Sequence, residues 1–428
     1  MSESKGQKPL PTTQTKTLTF TLNVMKKLLV LALALSTQIN AQLTLIGLSP
    51  ESGYNKRGTI FTISTEGSIS TMYNFNDGGN GCTPKGSLVQ DGDGSLYGVT
   101  ARCGANDMGT LFKFNGLSDG LVKLVDFSSK IGAGPTGSLI IGITGDLYGM
   151  TNTGGTDDVG TIFKCTTDGQ VTTLASFNSA NGAFPQGSLE QDKDGNLYGM
   201  TRLGGEFGNG VIFKLTASGQ YTVLHSFSGG DGSQPSGNIT IIDDTLLYGL
   251  TAIGGANDGG AVFCCTASGK YTLLNSLSPE TGTKPLGSLF RASDGYLYGT
   301  ANEGGTSQLG TLFRINDAGK IWVVTNFNDT NGAHPMGNLS IATDGNIYGV
   351  TKAGGAVNEA GVVFKYNTTN GTMENIYEFS SSSSQIAQGG LIEMSKNNDL
   401  RMATSNRFKR SQAHKTAGTK MVEKPKGL

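Results

Sequence analysis

Residues 187–236 read GSLEQDKDGNLYGMTRLGGEFGNGVIFKLTASGQYTVLHSFSGGDGSQPS, and this pattern is repeated along most of the chain. As a template, the stretch is G-S-L, a D-G turn, L-Y-G-x-T, a G-G loop, G-x-x-F-K, an S-G turn, an apolar run and a loop containing Pro. Its tyrosine recurs at a spacing of 51 once and 50 four times, at Tyr97, Tyr148, Tyr198, Tyr248, Tyr298 and Tyr348. A fixed period of this size is typical of propellers, solenoids and arrays.

One repeat contains four short runs rich in Leu, Ile, Val, Tyr, Phe and Thr. In the quoted unit they are Ser188–Gln191, Asn196–Thr201, Gly210–Leu215 and Gln220–Phe227, named strands a to d. Gly, Asp, Asn and Pro separate the runs, as expected of strands joined by turns. Four antiparallel strands in about 50 residues predict one blade of a β-propeller. A solenoid is the alternative, although its coils use fewer residues per turn.

The number of blades follows from where the pattern starts and stops. Six starts of strand a are intact, at Gly86, Gly137, Gly187, Gly237, Gly287 and Gly337. Before them, residues 45–47, 58–61 and 69–75 supply strands b to d without an a, and residues 389–393 supply a lone strand a after them. The sequence therefore predicts an all-β propeller of seven four-stranded blades, closed by N-terminal strands b–d plus a C-terminal strand a. A six-bladed ring with frayed ends is the alternative.

The regions outside the repeats differ in composition. Lys26 and Lys27 precede the apolar run 28–35, which is too short to span a bilayer and is typical of a signal peptide. We therefore expect an upstream extension at 1–24, a signal peptide at 25–41, the propeller at 42–400 and a basic tail at 401–428. The tail is degenerate or disordered, or arises from a frameshift or truncation. This division predicts a secreted or cell-surface protein with no membrane span in the mature chain.

The composition limits which classes of binding partner are expected. The chain has 65 Gly, 15% charged residues and a net charge of −1. Such a balance gives no electrostatic footprint for nucleic acid, so no nucleic-acid partner is expected. A glycan or protein ligand remains open, and the oligomeric state cannot be deduced.

The repeated motif L-Y-G-x-T-x-x-G-G-x-x-x-x-G-T-x-F resembles the Gly-Leu-Tyr-rich GloVer repeat of exported bacterial proteins. The resemblance covers about residues 45–399 and extends more loosely to NHL-type propellers. It implies export and surface display and no defined reaction or ligand. A C-terminal anchor of the kind found in that family is not recognisable here.

The residue types that carry chemistry are sparse. The three His lie in different repeats, which suggests neither a metal cluster nor a His-centred triad. Aspartates beside the a–b turn, such as Asp192 and Asp194, are expected to cap their own turns. The Tyr series and a Phe series at strand c are expected to form the core between blades. No catalytic residue, metal or cofactor is predicted.

Strand parity places the long G-G and Pro loops on one face and the tight turns on the other. Because function tends to lie on loops held by a rigid scaffold, the loop face is the expected working face. Small polar residues begin strand a there and could form a ligand-binding ring at the channel mouth, at Ser87, Ser138, Ser188, Asn238, Ser288 and Asn338. Alternatively, these residues only start the strand and bond its backbone.

Two cysteines depart from the template in neighbouring loops. Cys82 replaces a small residue before strand a, and Cys103 replaces the first glycine of the G-G pair. In an exported protein this pair is a disulfide candidate. Cys165 and Cys265 share one core position in their repeats and are expected to be small core residues.

Since no repeat carries a cluster of unlike catalytic groups, the sequence favours a non-enzymatic propeller that binds a glycan or protein, as an adhesion or scaffold module. The alternative is an enzyme acting on polysaccharide, a hydrolase or lyase, on a propeller scaffold.

Overall fold

The computed structural model describes residues 43–76, 79–116, 120–357, 359–380 and 389–394. By its internal contacts the chain divides into residues 1–43, of which only Leu43 is described, and residues 44–428, which hold the secondary structure. The expected upstream extension, signal peptide and basic tail lie outside the described residues. Within those residues, none of the helices has the length and apolar character needed to cross a bilayer.

The described strands form seven four-stranded antiparallel sheets, each of which is one blade. Blade 1 contains β4 (Cys82–Gln90), β5 (Leu96–Arg102), β6 (Thr110–Phe114) and β7 (Leu121–Asp126). Blade 2 contains β8 (Ile140–Ile141), β9 (Leu147–Thr151), β10 (Thr161–Cys165) and β11 (Val171–Ser176). Blade 3 contains β12 (Glu190–Gln191), β13 (Leu197–Thr201), β14 (Val211–Leu215) and β15 (Tyr221–Ser226).

The next three blades repeat this order, and blade 7 combines the two ends of the repeat region. Blade 4 contains β16 (Thr240–Ile242), β17 (Leu246–Thr251), β18 (Ala261–Thr266) and β19 (Tyr271–Ser276), and blade 5 contains β20 (Phe290–Arg291), β21 (Leu297–Ala301), β22 (Thr311–Ile315) and β23 (Ile321–Asn326). Blade 6 contains β24 (Ala333–Ile341), β25 (Ile347–Ala353), β26 (Val362–Tyr366) and β27 (Met373–Glu378). Blade 7 contains β28 (Ile392–Met394), β1 (Thr44–Ser49), β2 (Thr59–Ser64) and β3 (Ile69–Asn74). Single-turn 3₁₀ helices lie at Tyr54–Lys56 and Asp329–Asn331. The prediction of an all-β propeller with seven blades is confirmed.

In blade 7 the C-terminal strand lies beside the N-terminal strands. β28 pairs antiparallel with β1, with Ile46 opposite Ile392 and Thr44 opposite Met394. Leu391, which precedes β28, is 1% exposed. The backbone N–H of Gly390 donates a hydrogen bond to Ser87 Oγ in blade 1, at 2.8 Å. The last described strand therefore contacts both its own sheet and the next blade.

An aromatic ladder forms the core between blades. Except in blade 4, where Leu277 takes its place, a Phe at the end of strand d packs against the strand-c Phe of the next blade. Phe75–Phe112 and Phe227–Phe263 are examples, both edge-on with ring centroids 5.4 Å apart. Phe61 of blade 7 contacts Phe379 of blade 6 at 6.2 Å. All the strand-c Phe side chains are fully buried, each contributing about 1.5–3 kcal/mol of transfer free energy. The Phe series is the inter-blade core, as the repeat predicts.

Strand a is shorter than expected in most blades. In blade 3 only Glu190 and Gln191 pair with strand b, whereas the sequence predicts a strand from Ser188. The reason is that the preceding residues turn toward the neighbouring blade: Ser188 N–H donates to Asn238 Oδ1 at 2.7 Å. A Cβ added to Gly187 would lie 2.1 Å from the Gly237 carbonyl oxygen, so this close approach requires glycine.

The two kinds of long loop meet on one face. In blade 3 a bridge joins Ala183 in the Pro loop to Leu203 in the G-G loop, and the equivalent bridge in blade 5 joins Thr283 to Glu303. This side of the ring is the loop face. The a–b and c–d turns are tight and lie at the opposite strand ends.

Candidate functional site

The six polar residues at the start of strand a form hydrogen bonds between blades. Ser87 N–H donates to Ser138 Oγ at 2.7 Å and Ser138 N–H to Ser188 Oγ at 2.7 Å. The remaining contacts follow the same direction around the axis, from Ser188 to Asn238, Asn238 to Ser288 and Ser288 to Asn338. These contacts use the acceptor oxygens to join blades, so a ligand-binding role for this ring stays a prediction.

Cys82 and Cys103 are joined by a disulfide with a Cα–Cα distance of 5.3 Å. The bond links the start of β4 to the G-G loop of the same blade, and Cys82 lies opposite Arg102 in the ladder. Arg57, from the b–c loop of blade 7, places Nη1 3.9 Å from both sulfur atoms. The disulfide therefore lies where blades 7 and 1 meet on the loop face. Cys165, Cys264 and Cys265 are free.

The aspartates of the a–b turns act within their own blades. Asp192 Oδ1 accepts the N–H groups of Asp194 and Asn196, and Oδ2 accepts the hydroxyl of Tyr198 at 3.0 Å. Burial opposes ionisation of Asp192, yet these hydrogen bonds, with that from the Asn196 amide, hold the pKa of Asp192 below its usual value. The same burial and the nearby carboxylate raise the pKa of Tyr198. These contacts match the expected turn-capping role.

The residue before each loop proline has a left-handed backbone. Its φ is 55° at Thr83, 53° at Phe184 and 54° at His334, a conformation that is costly for a side chain other than Gly. In each case the N–H donates to the preceding blade, as from Phe184 to the Val159 carbonyl at 2.8 Å. This inter-blade bond compensates the strain. The six intact repeats have different residues at this position: Thr83, Gly134, Phe184, Gln234, Lys284 and His334.

A cavity of about 450 Å³ opens on the loop face across blades 7, 1 and 2. Its lining comes from four template positions, called the rim positions: the residue before the loop proline, the residue before the strand-a glycine, and the first and second residues after the strand-b threonine. Thr83 and Gly134 precede the loop proline, and Lys85 and Thr136 precede the strand-a glycine. Ala101 and Asn152 hold the first position after the strand-b threonine, and Arg102 and Glu51 hold the second. A second cavity of about 350 Å³ shares Arg102 and adds Asp107 and Asp158.

Three unlike charged groups converge on the larger cavity. Burial lowers the pKa of the Lys85 amine; the charge of Glu51 partly offsets this effect, and that of Arg102 adds to it. A partly dehydrated ammonium in a cavity that a carboxylate and a guanidinium also line is suited to acid–base chemistry and to the binding of developing negative charge. No other intact repeat has a lysine at this position: Thr136, Gln186, Ser236, Leu286 and Met336 stand where blade 1 has Lys85.

Sequence reasoning missed this cluster because it compared intact repeats. Glu51 belongs to the N-terminal half of blade 7, which lacks the L-Y-G-x-T motif. The register supplies the missing alignment, since Gly47 pairs with Phe61 as Gly98 pairs with Phe112. Counting four residues from each glycine places Glu51 and Arg102 at equivalent positions in adjacent blades. The sequence comparison looked for unlike groups within one repeat, whereas Glu51 of blade 7 lines the same cavity as Lys85 and Arg102 of blade 1.

Several solved propellers have similar structures. A candidate 6-phosphogluconolactonase from Bacteroides fragilis matches with a TM-score of 0.55 and 16% identity over 84% of this chain and 99% of that chain. The periplasmic gluconolactonase of Pseudomonas aeruginosa matches with a TM-score of 0.55 and 14% identity over 83% and 99%. A puromycin-hydrolyzing peptidase of Mycobacterium tuberculosis matches with a TM-score of 0.52 and 11% identity over 80% of this chain but only 54% of that chain. No curated protein matches the sequence.

These comparisons contradict the prediction of a non-enzymatic binding, adhesion or scaffold module, because the similar propellers are named as lactonases and as a hydrolytic peptidase. At such low identity they establish the shared fold alone. Because hydrolytic enzymes have this same fold, the expectation that the protein is not an enzyme does not stand, and any activity of this chain is a proposal.

The resemblance noted in the repeats is confirmed by a family model. It matches residues 34–252 and 189–413 and describes the Gloeobacter/Verrucomicrobia repeat. The two matches together cover the whole propeller. The chain belongs to the Gloeobacter/Verrucomicrobia repeat family.

Proposed function

We propose that the protein is a hydrolase that opens cyclic esters of sugar acids in the cavity across blades 7, 1 and 2. The observation that carries this proposal is the convergence of Glu51, Lys85 and Arg102 on one loop-face cavity. The substrate class is suggested by the similar propellers, two of which are named as lactonases of this kind. A cavity of about 450 Å³ is large enough for a hexose-sized ligand.

The reaction assigns one role to each charged group. Glu51 accepts a proton from the attacking water while the water oxygen bonds to the lactone carbonyl carbon. Arg102 stabilises the negative charge that forms on the carbonyl oxygen. The ring C–O bond then breaks, and Lys85 donates a proton to the leaving alkoxide, a step helped by its lowered pKa. The new carboxylic acid ionises, and the proton taken up by Glu51 returns to Lys85, so lactone and water give a hydroxy carboxylate and a proton while both side chains are restored.

We also infer that the protein acts outside the cytoplasm. The support is the segment 25–41, with its Lys pair and apolar run, together with the periplasmic location named for one similar propeller. A disulfide in blade 1 is compatible with an oxidising compartment. Mass spectrometry of the exported protein should find an N-terminus close to residue 42, and an intact N-terminal segment would contradict this inference.

The test of the activity compares two glutamates on the loop face. Lactone hydrolysis is followed by pH indicator with glucono-δ-lactone and 6-phosphogluconolactone, above the spontaneous rate. Glu51→Gln should lower kcat/KM by about 10²–10⁴-fold, the usual contribution of a general base. Glu303→Gln is the matched control, because Glu303 is paired with Lys284 in blade 5 at 2.9 Å, and it should leave the rate within about twofold. No hydrolysis by the wild type, or equal loss in both variants, would refute the proposal.

A further inference from the structure

The Cys82–Cys103 disulfide lies next to two residues that line the larger cavity. Thr83 follows Cys82 at the start of β4, and Arg102 precedes Cys103 at the end of β5. Arg102 also pairs with Cys82 in the ladder between these strands. The covalent bond therefore joins the two backbone segments that hold Thr83 and Arg102 at the cavity. A movement of Cys103 would displace Arg102, the residue proposed to bind the carbonyl oxygen.

Cys103 occupies a position that favours glycine. Its φ is 61°, in the left-handed region. A Cβ added to the equivalent Gly154 would lie 2.7 Å from Cα of Gly132 in the Pro loop, so space as well as backbone conformation disfavours a side chain there. In blade 1 the bond to Cys82 compensates this cost. The other intact repeats avoid the cost because they have glycine at this position: Gly154, Gly204, Gly254, Gly304 and Gly354.

The two sulfur atoms differ in their surroundings. Cys82 is fully buried, whereas Cys103 is half-buried on the loop face. Nη1 of Arg57 lies 3.9 Å from each sulfur atom. A positive charge at this distance stabilises a thiolate and makes it a better leaving group. A reductant can therefore attack at Cys103, with Cys82 leaving as a thiolate beside Arg57.

We propose that the disulfide positions Arg102 for catalysis and that its reduction by a dithiol inactivates the enzyme. One thiolate of the dithiol attacks the sulfur of Cys103, and Cys82 leaves as a thiolate. The second thiolate of the reductant then displaces Cys103 from the mixed disulfide. The dithiol thus gives up two electrons and becomes a disulfide, and its two protons pass to the cysteines.

Reduction leaves a side chain in the left-handed conformation with no bond to hold it there. The loop at Cys103 then relaxes, and Arg102 moves with it. The inference rests on the proposed function for the reaction that is controlled, and it adds that the activity requires the oxidised form.

The test measures lactone hydrolysis by the full protein before and after reduction with dithiothreitol, once excess reductant has been removed. Thiol titration shows that the bond is open, and circular dichroism shows that the protein is folded. Reduction should lower kcat/KM for glucono-δ-lactone by about 10-fold or more, mainly through kcat, because a displaced oxyanion donor weakens transition-state binding most. Cys82→Ala/Cys103→Ser should have the same low kcat with or without reductant.

The matched variant is Cys82→Ala/Cys103→Gly, which installs the pair found in blades 2, 3 and 6. Because glycine adopts the left-handed conformation readily, this variant should keep kcat within about twofold of the oxidised wild type without any disulfide. It should also be insensitive to reductant. A glycine variant as inactive as the reduced wild type would overturn the positioning role. So would a wild type whose kcat is unchanged although both thiols are free.

Two further measurements do not depend on lactone hydrolysis. Hydrogen exchange in residues 101–109 should increase on reduction and in the serine variant, but not in the glycine variant. Arg57→Gln should slow reduction of the bond by at least about threefold, the effect of removing one positive charge beside a thiolate leaving group. Lys56→Gln is the control, because it removes a neighbouring exposed charge, and it should leave that rate unchanged.

These measurements separate the two proposals. If exchange and reduction rates change as expected but the oxidised wild type hydrolyses no lactone, the reaction is refuted and the redox control of the loop stands. If the protein hydrolyses lactones and neither exchange nor kcat responds to reduction, the redox control is refuted and the reaction stands.

Discussion

The junction of blades 7 and 1 and the junction of blades 3 and 4 are built on the same core. In each, a Phe at the end of strand d meets the next strand-c Phe at 5.4 Å. The loop-face residues near that core differ. The junction of blades 3 and 4 carries Arg202 and Gln234, whereas that of blades 7 and 1 carries a disulfide, Arg57 and the groups around Lys85. The repeated residues thus form the common core, and the residues that differ between repeats give each junction its own functional groups.

The two junctions also differ in how the chain passes through them. Blades 3 and 4 follow one another continuously, while blade 7 depends on β28 pairing with β1 across the ends of the repeat region. That pairing runs over three residue pairs, from Thr44–Met394 to Ile46–Ile392. Removing residues 389–428 should therefore reduce stability more than losing the disulfide or a single side-chain contact.

We expect that deletion to lower the free energy of unfolding by at least about 3–5 kcal/mol, because it removes the buried Leu391 and leaves its site empty. Chemical denaturation should show one cooperative transition shifted for the whole ring. Deletion of residues 401–428 alone is the control, since it keeps the pairing of β28 with β1. Equal stability of the two deletions would mean that β28 does not close the ring energetically.

The disulfide is the second difference between the junctions. It closes a loop with a sequence separation of 21 residues, for which chain entropy predicts about 3 kcal/mol. A Cys82→Ser/Cys103→Ser variant should lose about that much free energy of unfolding. Reductant should destabilise the wild type to a similar degree and leave the double variant unchanged. A wild type that is insensitive to reductant although both thiols become free would contradict this prediction.

The smallest expected effect concerns one contact of β28. Glu393 accepts the N–H of Thr343 at 2.7 Å and its hydroxyl at 2.6 Å. Gln191 makes the equivalent contact with Ile143 N–H at 2.8 Å between blades 2 and 3. Glu393→Ala should therefore cost about 1–2 kcal/mol of unfolding free energy, and Glu393→Gln much less. A large loss in Glu393→Gln, measured by the same denaturation, would show that the carboxylate charge, and not the hydrogen bond, stabilises the contact.

The fold was predictable because each repeat has core and turn residues at the same positions. The Phe positions, the turn glycines and the complementary fragments around Leu45 and Leu391 together predict blades and their number. The short strand a was not predictable, because Ser188 has the same local preference whether it pairs within its own blade or bonds Asn238 of the next.

The candidate site was largely hidden from the sequence. Glu51 lies 34 positions before Lys85 and in a half-blade without the motif, so only the strand register makes it equivalent to Arg102. The Arg202–Gln234 contact likewise joins residues of different repeats, 32 positions apart. Period-based comparison aligns equivalent positions, but it does not say which unlike positions face each other across a junction.

The central claim is that the substrate binds and is hydrolysed where blades 7, 1 and 2 meet, at residues that the other repeats lack. A crystal structure of Glu51→Gln soaked with 6-phosphogluconolactone tests this claim most directly. We expect the ligand to lie in the cavity, with its carbonyl oxygen within hydrogen-bond distance of Arg102 and its ring oxygen near Lys85. A ligand bound elsewhere on the ring, with the cavity around Lys85 and Arg102 empty, would contradict the proposed site.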